Sequence, residues 1–405
     1  MENYKSFRPT QLIFGKEEVA SIGSVLAGDS IKKVLIHYGK GSIFKPYMEG
    51  KASVYDQVIA SLKEHGIEHV DAGDQVSNPR EDIAVECFKK GRDAHVDAVL
   101  ALGGGSVFDS AKFICAMNDL ADHPEDAFAH FFAQGNKPKN PLPLYGVLTM
   151  SGTGSEMNAN SVITSTNGAK IGGNFGVFPK VSIVDPEVQY SLPAYQLQCG
   201  LIDAFSHITE TYTGAAFVSG HIPSTITHMN ECVMRDILKT SSEATTKAHD
   251  YQTRAEIAFQ CMIALDGTLS QGFFPSASFG AVGTCHMISH AITALTGLTH
   301  GAANGLVLLG IFDFLSAHPE AFPTIRVMYE KIAKEVFGVA TLKEARDKFS
   351  AHLASVGLPN TLSGAVKVDN LEETKKAIVQ TYGAIWRGIM DYTDEQCMEV
   401  LNYLK

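Results

Sequence analysis

"VDAVLALGGGSVFDSAK", residues 96 to 112, decides how the first half of this chain folds. It runs from a short apolar, β-rich stretch through Gly103, Gly104, Gly105 and Ser106 into a helical pattern starting near Val107. A strand that is apolar on both faces belongs in a parallel sheet covered by helices. Glycines lack a Cβ and let backbone N–H groups approach an anion. The helix N-terminus behind them presents unpaired donors and the positive end of its dipole. A phosphate suits this turn, and so does an ordinary strand-to-helix connection that needs positive φ, because the run is not a GxGxxG fingerprint.

The same alternation extends on both sides. "KKVLIHYG" (32 to 39) reads as a strand, "VYDQVIASLKEHGI" (54 to 67) as a helix ended by glycine, and "PLPLYGVLTM" (141 to 150) and "KVSIVDP" (180 to 186) as further buried strands. After Pro193 the segments become long and helix-patterned. The expected architecture is therefore an α/β domain over residues 1 to 190 and an all-helical domain over 191 to 405. A chain of 405 residues exceeds the usual single core, and a cleft between two domains is expected. A second glycine cluster, "TMSGTGSEMN" (149 to 158), follows another strand at the same sheet edge, where α/β proteins bind nucleotides.

Charge and composition narrow the partners. The formal net charge is -11, so no basic excess exists to neutralise nucleic-acid phosphates or an anionic membrane. The seven cysteines are scattered, odd in number and without a CxxC pair, which fits a reducing compartment. The opening MENYKSFRPTQ is too polar for a signal peptide, and no apolar run approaches the ~20 residues of a spanning helix. A cytoplasmic location is expected.

The helical half carries the unusual chemistry. "DAFSH" places Asp203 and His207 one turn apart on a helix face, and "HMISH" does the same for His286 and His290. Carboxylate with imidazoles is a ligand set for a divalent transition metal such as Zn or Fe. His300 lies fourteen residues past His286, which on one straight helix would be about 21 Å. Gly297 breaks that helix and lets the chain run back, so that His300 rejoins His286. Any one of these histidines alone reads as a hydrogen-bonded core residue. Together, amid apolar neighbours where an unpartnered imidazole costs free energy, they do not.

"GGGSVFDSAK", "SGTGSE", "DAFSH" and "HMISHAITALTGLTHG", in this order, resemble the iron-type, metal-dependent group III alcohol dehydrogenases, with the bacterial butanol dehydrogenases and NADPH-dependent aldehyde reductases as the nearest subgroup. "PTQLIFGK" (9 to 16) and "NPRED" (78 to 82) fit the same pattern. The resemblance implies a dehydroquinate synthase-like fold, with an N-terminal α/β dinucleotide-binding domain, an all-α C-terminal metal-binding domain and the active site in the cleft between them. It implies a small aldehyde or alcohol substrate and a homodimer. By the same resemblance, Asp203, His207, His286 and His300 hold one divalent ion, Fe2+ or Zn2+, while His290 faces the nicotinamide and substrate without binding the ion. The cofactor contacts it implies are Gly39, Gly41, Ser42, Asn78, Gly103, Gly104, Gly105, Ser106, Asp109, Thr149, Thr153, Asn158 and Lys170. "GFFPSASFGAVGTC", just before His286, departs from the aldehyde-reductase pattern, which bears on the shape of the substrate pocket.

NADP(H) is the expected coenzyme. After "KVLIHYG" the chain reads Gly39, Lys40, Gly41, Ser42, with Lys45 close behind and no acid before Glu49. An NAD-selective site places a carboxylate there, which would repel a 2′-phosphate. Glycine N–H groups, a hydroxyl and an ammonium suit a phosphate instead, although two lysines beside a loop also read as solvated surface charge. The expected reaction interconverts short- to medium-chain primary alcohols and aldehydes. Two other readings share the sequence features: a dehydroquinate synthase-like enzyme that returns its nicotinamide unchanged, and a metal-binding protein without turnover. The first needs a dense Arg/Lys cluster for a charged sugar acid, and the helical half shows none.

Overall fold

The computed structural model describes residues 6–168, 170–174, 176–219, 223–271, 283–383 and 390–404, with the side chains of 215–219 excepted. Most of "GFFPSASFGAVGTC" (272 to 282) lies outside the described residues. The chain divides into two compact units, one of Arg8–Leu192 with His249–Ala258, the other of Met1–Phe7, Pro193–Ala248 and Phe259–Lys405.

The first unit is built on a six-stranded sheet of β1 (Gln11–Phe14), β2 (Lys33–Gly39), β3 (Glu68–Gln75), β4 (Ala98–Gly104), β5 (Leu144–Met150) and, after the hairpin strands β6 (Asn160–Thr164) and β7 (Lys170–Asn174), β8 (Val181–Val184). Its order is β1-β8-β5-β4-β2-β3 and every neighbouring pair is parallel. Helices α1 (Ile22–Gly28), α2 (Val54–Glu64), α3 (Glu81–Asp93) and α4 (Gly105–Ala116) cover it. The alternation along β4 shows why. Ala98, Leu100 and Leu102 pack with α1 and α2 residues such as Leu26 and Val58, whereas Val99 and Ala101 pack with Phe88 of α3 and Phe108 of α4. Because both faces are buried, the strand reads as one continuous apolar run.

Leaving β2, the chain forms β3 on one side and then β4 on the other, so the order reverses between β2 and β4. In open α/β sheets ligands bind outside the C-terminal ends of the strands at such a reversal. Here those ends are Gly39 and Gly104. The antiparallel hairpin of β6 and β7 has Asn167 and Gly168 in its turn, with Gly168 at φ 89°.

In the second unit the described helices are α5 (Ala194–Ser219), α6 (Ser224–Ala244), the later part of α7 (Tyr251–Ile263), α8 (Thr284–Thr296), α9 (His300–Ala317), α10 (Pro323–Glu335), α11 (Leu342–Ser355), α12 (Leu362–Ala365), α13 (Leu371–Gly383) and α14 (Asp394–Tyr403). The centre is α9, which packs against α5, α8, α11 and α14. It is the one described helix long and apolar enough to cross a membrane, and 78% of it is buried inside the protein. That makes it a core helix. Leu306, Val307, Leu308, Leu309, Ile311 and Phe312 are fully buried, each contributing ~1.5–3 kcal/mol of transfer free energy. A Cβ on Gly301 would lie 1.9 Å from the carbonyl oxygen of Cys199, so only glycine lets α9 press this closely on α5.

Candidate functional site

The close approach of α9 to α5 sets His300 beside Asp203, and α8 adds His286. Asp203 Oδ1 is 3.5 Å from His300 Nε2, 3.6 Å from His286 Nε2 and 4.0 Å from His207 Nε2. The ligand atoms of Asp203, His286 and His300 all lie within 4.8 Å of one another. His207 stacks on His286, with ring centroids 4.5 Å apart and 18° between planes. Its Nδ1 has no hydrogen-bond partner among the described residues. His290 stands next to this group, its ring 4.9 Å from that of His300 and 6.2 Å from that of His286. Gly297 ends α8 in the left-handed conformation at φ 71°, and α9 begins three residues later at His300 itself.

Asp203 and Glu210 put two buried carboxylates among these imidazoles, and a buried charge must be paired. Burial alone would raise the Asp203 carboxyl, but the surrounding His207, His300 and His286 outweigh it and hold it below the ordinary carboxylate range. Burial pushes His207 down to about 4, leaving a neutral imidazole with a free lone pair. Burial would also lower His286, yet the Glu210 and Asp203 carboxylates overcome it and raise this ring to about 9. Donor atoms about 2.0–2.2 Å from a tetrahedral ion stand about 3.3–3.5 Å apart. The distances from Asp203 Oδ1 to His300 and His286, 3.5 and 3.6 Å, are close to that, and His207 Nε2 stands 4.0 Å from the same oxygen. The residues present fit a divalent transition metal.

Two residues of this cluster carry no sequence signal of their own. Glu210, seven residues after Asp203 on α5, pairs with His286 Nδ1 and accepts the His286 backbone N–H at 3.3 Å. Asn304, one turn after His300, donates from Nδ2 to Asp203 Oδ1 at 2.8 Å and lies 3.3 and 3.4 Å from His300 Nε2 and His286 Nε2. Helical spacing from residues already singled out, i+3 from His207 and i+4 from His300, is the signal that would have found them.

Most residues expected to contact a cofactor lie at or just beyond the C-terminal ends of the sheet strands, while Asp109 lies within α4 and Lys170 opens β7 of the hairpin. Gly39 ends β2, Gly41 has φ 61°, and Ser42 opens the turn that follows. Gly103 and Gly104 end β4 and Gly105 starts α4, two residues earlier than the sequence pattern indicates. None of the three has positive φ. Their role is close contact: a Cβ on Gly105 would lie 2.3 Å from Thr153 Oγ1, and one on Gly103 2.5 Å from Val107 Cγ2. The two glycine clusters therefore touch each other. Ser106 sits in the first turn of α4, where N–H groups lack helical partners. Thr149 lies near the end of β5.

Asp109 is buried and engaged within the protein, accepting from Ser155 Oγ at 2.6 Å and from the Val162 N–H at 3.1 Å. Lys112, fully buried one turn away, donates to Ser155 Oγ (2.6 Å), Asn158 Oδ1 (3.2 Å) and the Asn160 carbonyl (2.8 Å). Burial pushes its ammonium down to about 8. The sequence pattern did not single it out. Asn78 has a positive φ of 59° and accepts from Lys170 Nζ at 2.9 Å.

Models of two families match the chain: iron-containing alcohol dehydrogenase over residues 9–186, and the C-terminal region of the Fe-containing alcohol dehydrogenase family over residues 198–384. The chain belongs to the iron-containing alcohol dehydrogenase family. Among relatives, it is 34% identical over 377 residues to a probable NADH-dependent butanol dehydrogenase 1 of Bacillus subtilis, covering 90% of this chain and 89% of that one. It is 32% identical over 317 residues to the NADPH-dependent aldehyde reductase YqhD of Escherichia coli, covering 77% and 76%. The crystal structure of NADH-dependent butanol dehydrogenase A from Thermotoga maritima superimposes with a TM-score of 0.85 at 32% identity, covering 100% of this chain and 99% of that one. As an iron-containing alcohol dehydrogenase it is an NAD(P)-dependent oxidoreductase of alcohols and aldehydes, with a fold of parallel-sheet N-terminal and helical C-terminal parts.

Proposed function

We propose that this enzyme is a metal-dependent, NADP(H)-linked dehydrogenase that interconverts short- to medium-chain primary alcohols and aldehydes. Residues 1 to 190 are assigned to the dinucleotide and 191 to 405 to the metal. The observation that carries the reading is the convergence of Asp203 Oδ1 with the Nε2 atoms of His286 and His300, and with His207 beside them. When bound, a divalent ion there supplies Lewis acidity toward a carbonyl oxygen, and a reduced nicotinamide supplies the hydride.

The protein's own residues do the rest. Asp203, His207, His286 and His300 would hold the ion, with Asn304 and Glu210 fixing two of them. His290 sits beside that set and would relay a proton to the product oxygen through water or a cofactor ribose hydroxyl, or take it in the oxidation direction. In total, aldehyde, reduced nicotinamide and one proton give alcohol and oxidised nicotinamide. Gly103 to Ser106, with Thr149, Thr153 and Asn158 on the adjoining loop, would receive the pyrophosphate. The left-handed Gly41, the Ser42 hydroxyl and the absence of an acid before Glu49 support a 2′-phosphate. The seven free cysteines support a cytoplasmic setting.

The test is direct. Protein loaded with Fe(II) or Zn(II) should consume NADPH with aldehydes of two to six carbons, and Asp203→Ala or His286→Ala should abolish both bound metal and turnover. NADPH left unconsumed across that panel by fully metallated protein would refute the assignment.

A further inference from the structure

α5 carries three functional groups on one face. Asp203, His207 and Glu210 stand at spacings of four and three residues, and the first two already belong to the cluster. Glu210 is the third carboxylate-or-imidazole group of that face, with its side chain 4% exposed. Burying a carboxylate costs several kcal/mol unless it is paired and hydrogen-bonded. Among the described residues, no lysine or arginine pairs with it. Both of its oxygens instead go to a single residue, His286: one to Nδ1 and the other to the backbone N–H.

The surroundings are shaped to allow this. Gly283 precedes the first turn of α8, and a Cβ there would lie 2.6 Å from Glu210 Oε1. The missing side chain lets the carboxylate reach the N-terminal end of α8, where free N–H groups and the helix dipole favour an anion. His286 is thereby held at both its main chain and its ring, while the stacked His207 fixes the ring plane. In the neutral ring that a metal ligand requires, Nδ1–H donated to Glu210 leaves the lone pair on Nε2. That is the atom facing Asp203 Oδ1 at 3.6 Å. An imidazole free to take the other tautomer would turn an N–H toward the ion.

We propose that Glu210 is a positioning residue, whose carboxylate locks His286 in the Nδ1–H tautomer and so sets the affinity of the Asp203–His286–His300 cluster for a divalent ion. The proposal rests on the metal-centre reading above. Partners that orient a ligand histidine in this way contribute about 10- to 100-fold in metal affinity.

The experiment is Zn(II) binding to the full-length protein by competition with a chromogenic chelator, for wild type, Glu210→Gln, Glu210→Ala and Gly283→Ala. Glu210→Ala should raise Kd about 10- to 100-fold. Glu210→Gln keeps an oxygen acceptor for Nδ1–H and should recover part of that loss. Gly283→Ala leaves the charge in place but displaces it, and should also weaken binding. In the Zn(II)-loaded wild type, nitrogen chemical shifts of the His286 ring should show a protonated Nδ1 and a ligated Nε2. If wild type binds Zn(II) and both Glu210 variants stay within twofold of it, or if His286 ligates through Nδ1, the positioning role is wrong while the metal centre stands. If Glu210→Ala does not fold, the comparison of Glu210→Gln with wild type decides. Wild type that binds no Zn(II) overturns the metal centre and this role together.

Discussion

Asn304 Nδ2 lies 2.8 Å from Asp203 Oδ1, joining α9 to α5 across 101 residues of sequence. The amide is fully buried, and Cys285 directs its thiol at the Asn304 backbone carbonyl, 3.4 Å away. A hydrogen bond to a buried charged group is worth roughly 1.5–3 kcal/mol. Asn304→Leu keeps approximate volume and removes the donor, so the metal-free protein should lose about 2 kcal/mol in urea unfolding. A loss below ~0.5 kcal/mol would show that the bond contributes no more than an exposed one.

His290 sits beside the ligand cluster without joining its three-residue core. His290→Ala should retain one metal per chain by elemental analysis and lower kcat about 100-fold, the low end for loss of a general acid. Loss of the metal in this variant would reassign His290 to the ligand set.

Coenzyme choice turns on the end of β2. A Cβ on Gly39 would stand 3.4 Å from the Gln75 carbonyl oxygen and 3.7 Å from Val107 Cγ2, ordinary van der Waals contacts, so a side chain can start there without a clash at Cβ. Wild type should show a higher kcat/KM with NADPH than with NADH. Gly39→Asp should reverse that order, since its carboxylate repels a 2′-phosphate and accepts ribose hydroxyls. The relatives are divided in name between NADH and NADPH, so their names leave this choice to kinetics. Equal or better use of NADH by wild type would refute the preference.

His37 lies fully buried in β2 with Nδ1 against the Ala72 carbonyl, and burial pushes it down to about 4. The unfolded chain takes up this proton near pH 6.5, whereas the folded chain resists it until about 4. Stability should therefore be complete above about pH 6.5 and fall as the pH drops toward 4, by about 3 kcal/mol from this group. Urea midpoints across that range should fall more steeply for wild type than for His37→Gln. Parallel slopes would assign the acid sensitivity to other groups.

Local pattern carried much of this protein. The apolar run before Gly103 identifies a strand buried on both faces, because period and composition report burial without reference to any partner. Asp203 with His207, and His286 with His290, are legible because an α-helix returns to the same face every three to four residues. Gly297 is legible as a helix end because it readily adopts the left-handed conformation found there at φ 71°. The order of these motifs also marks the family.

Tertiary structure decided what spacing cannot express. Helical spacing puts Glu210 on the face of Asp203 and His207, but it becomes a partner of His286 only because α8, 76 residues away, begins against it. Asn304 likewise falls one turn after His300, but it meets Asp203 only because α9 packs on α5. Gly103, Gly105 and Gly301 look like flexible turn or helix residues, yet each is required by a neighbour that would strike its Cβ, and none by backbone angle. The segment 249–258, helical in pattern, belongs by its contacts with the α/β unit. A helix's sequence shows which face it must bury. Which other face it meets depends on packing among segments far apart in the chain, and that contact sets the metal cluster's partners.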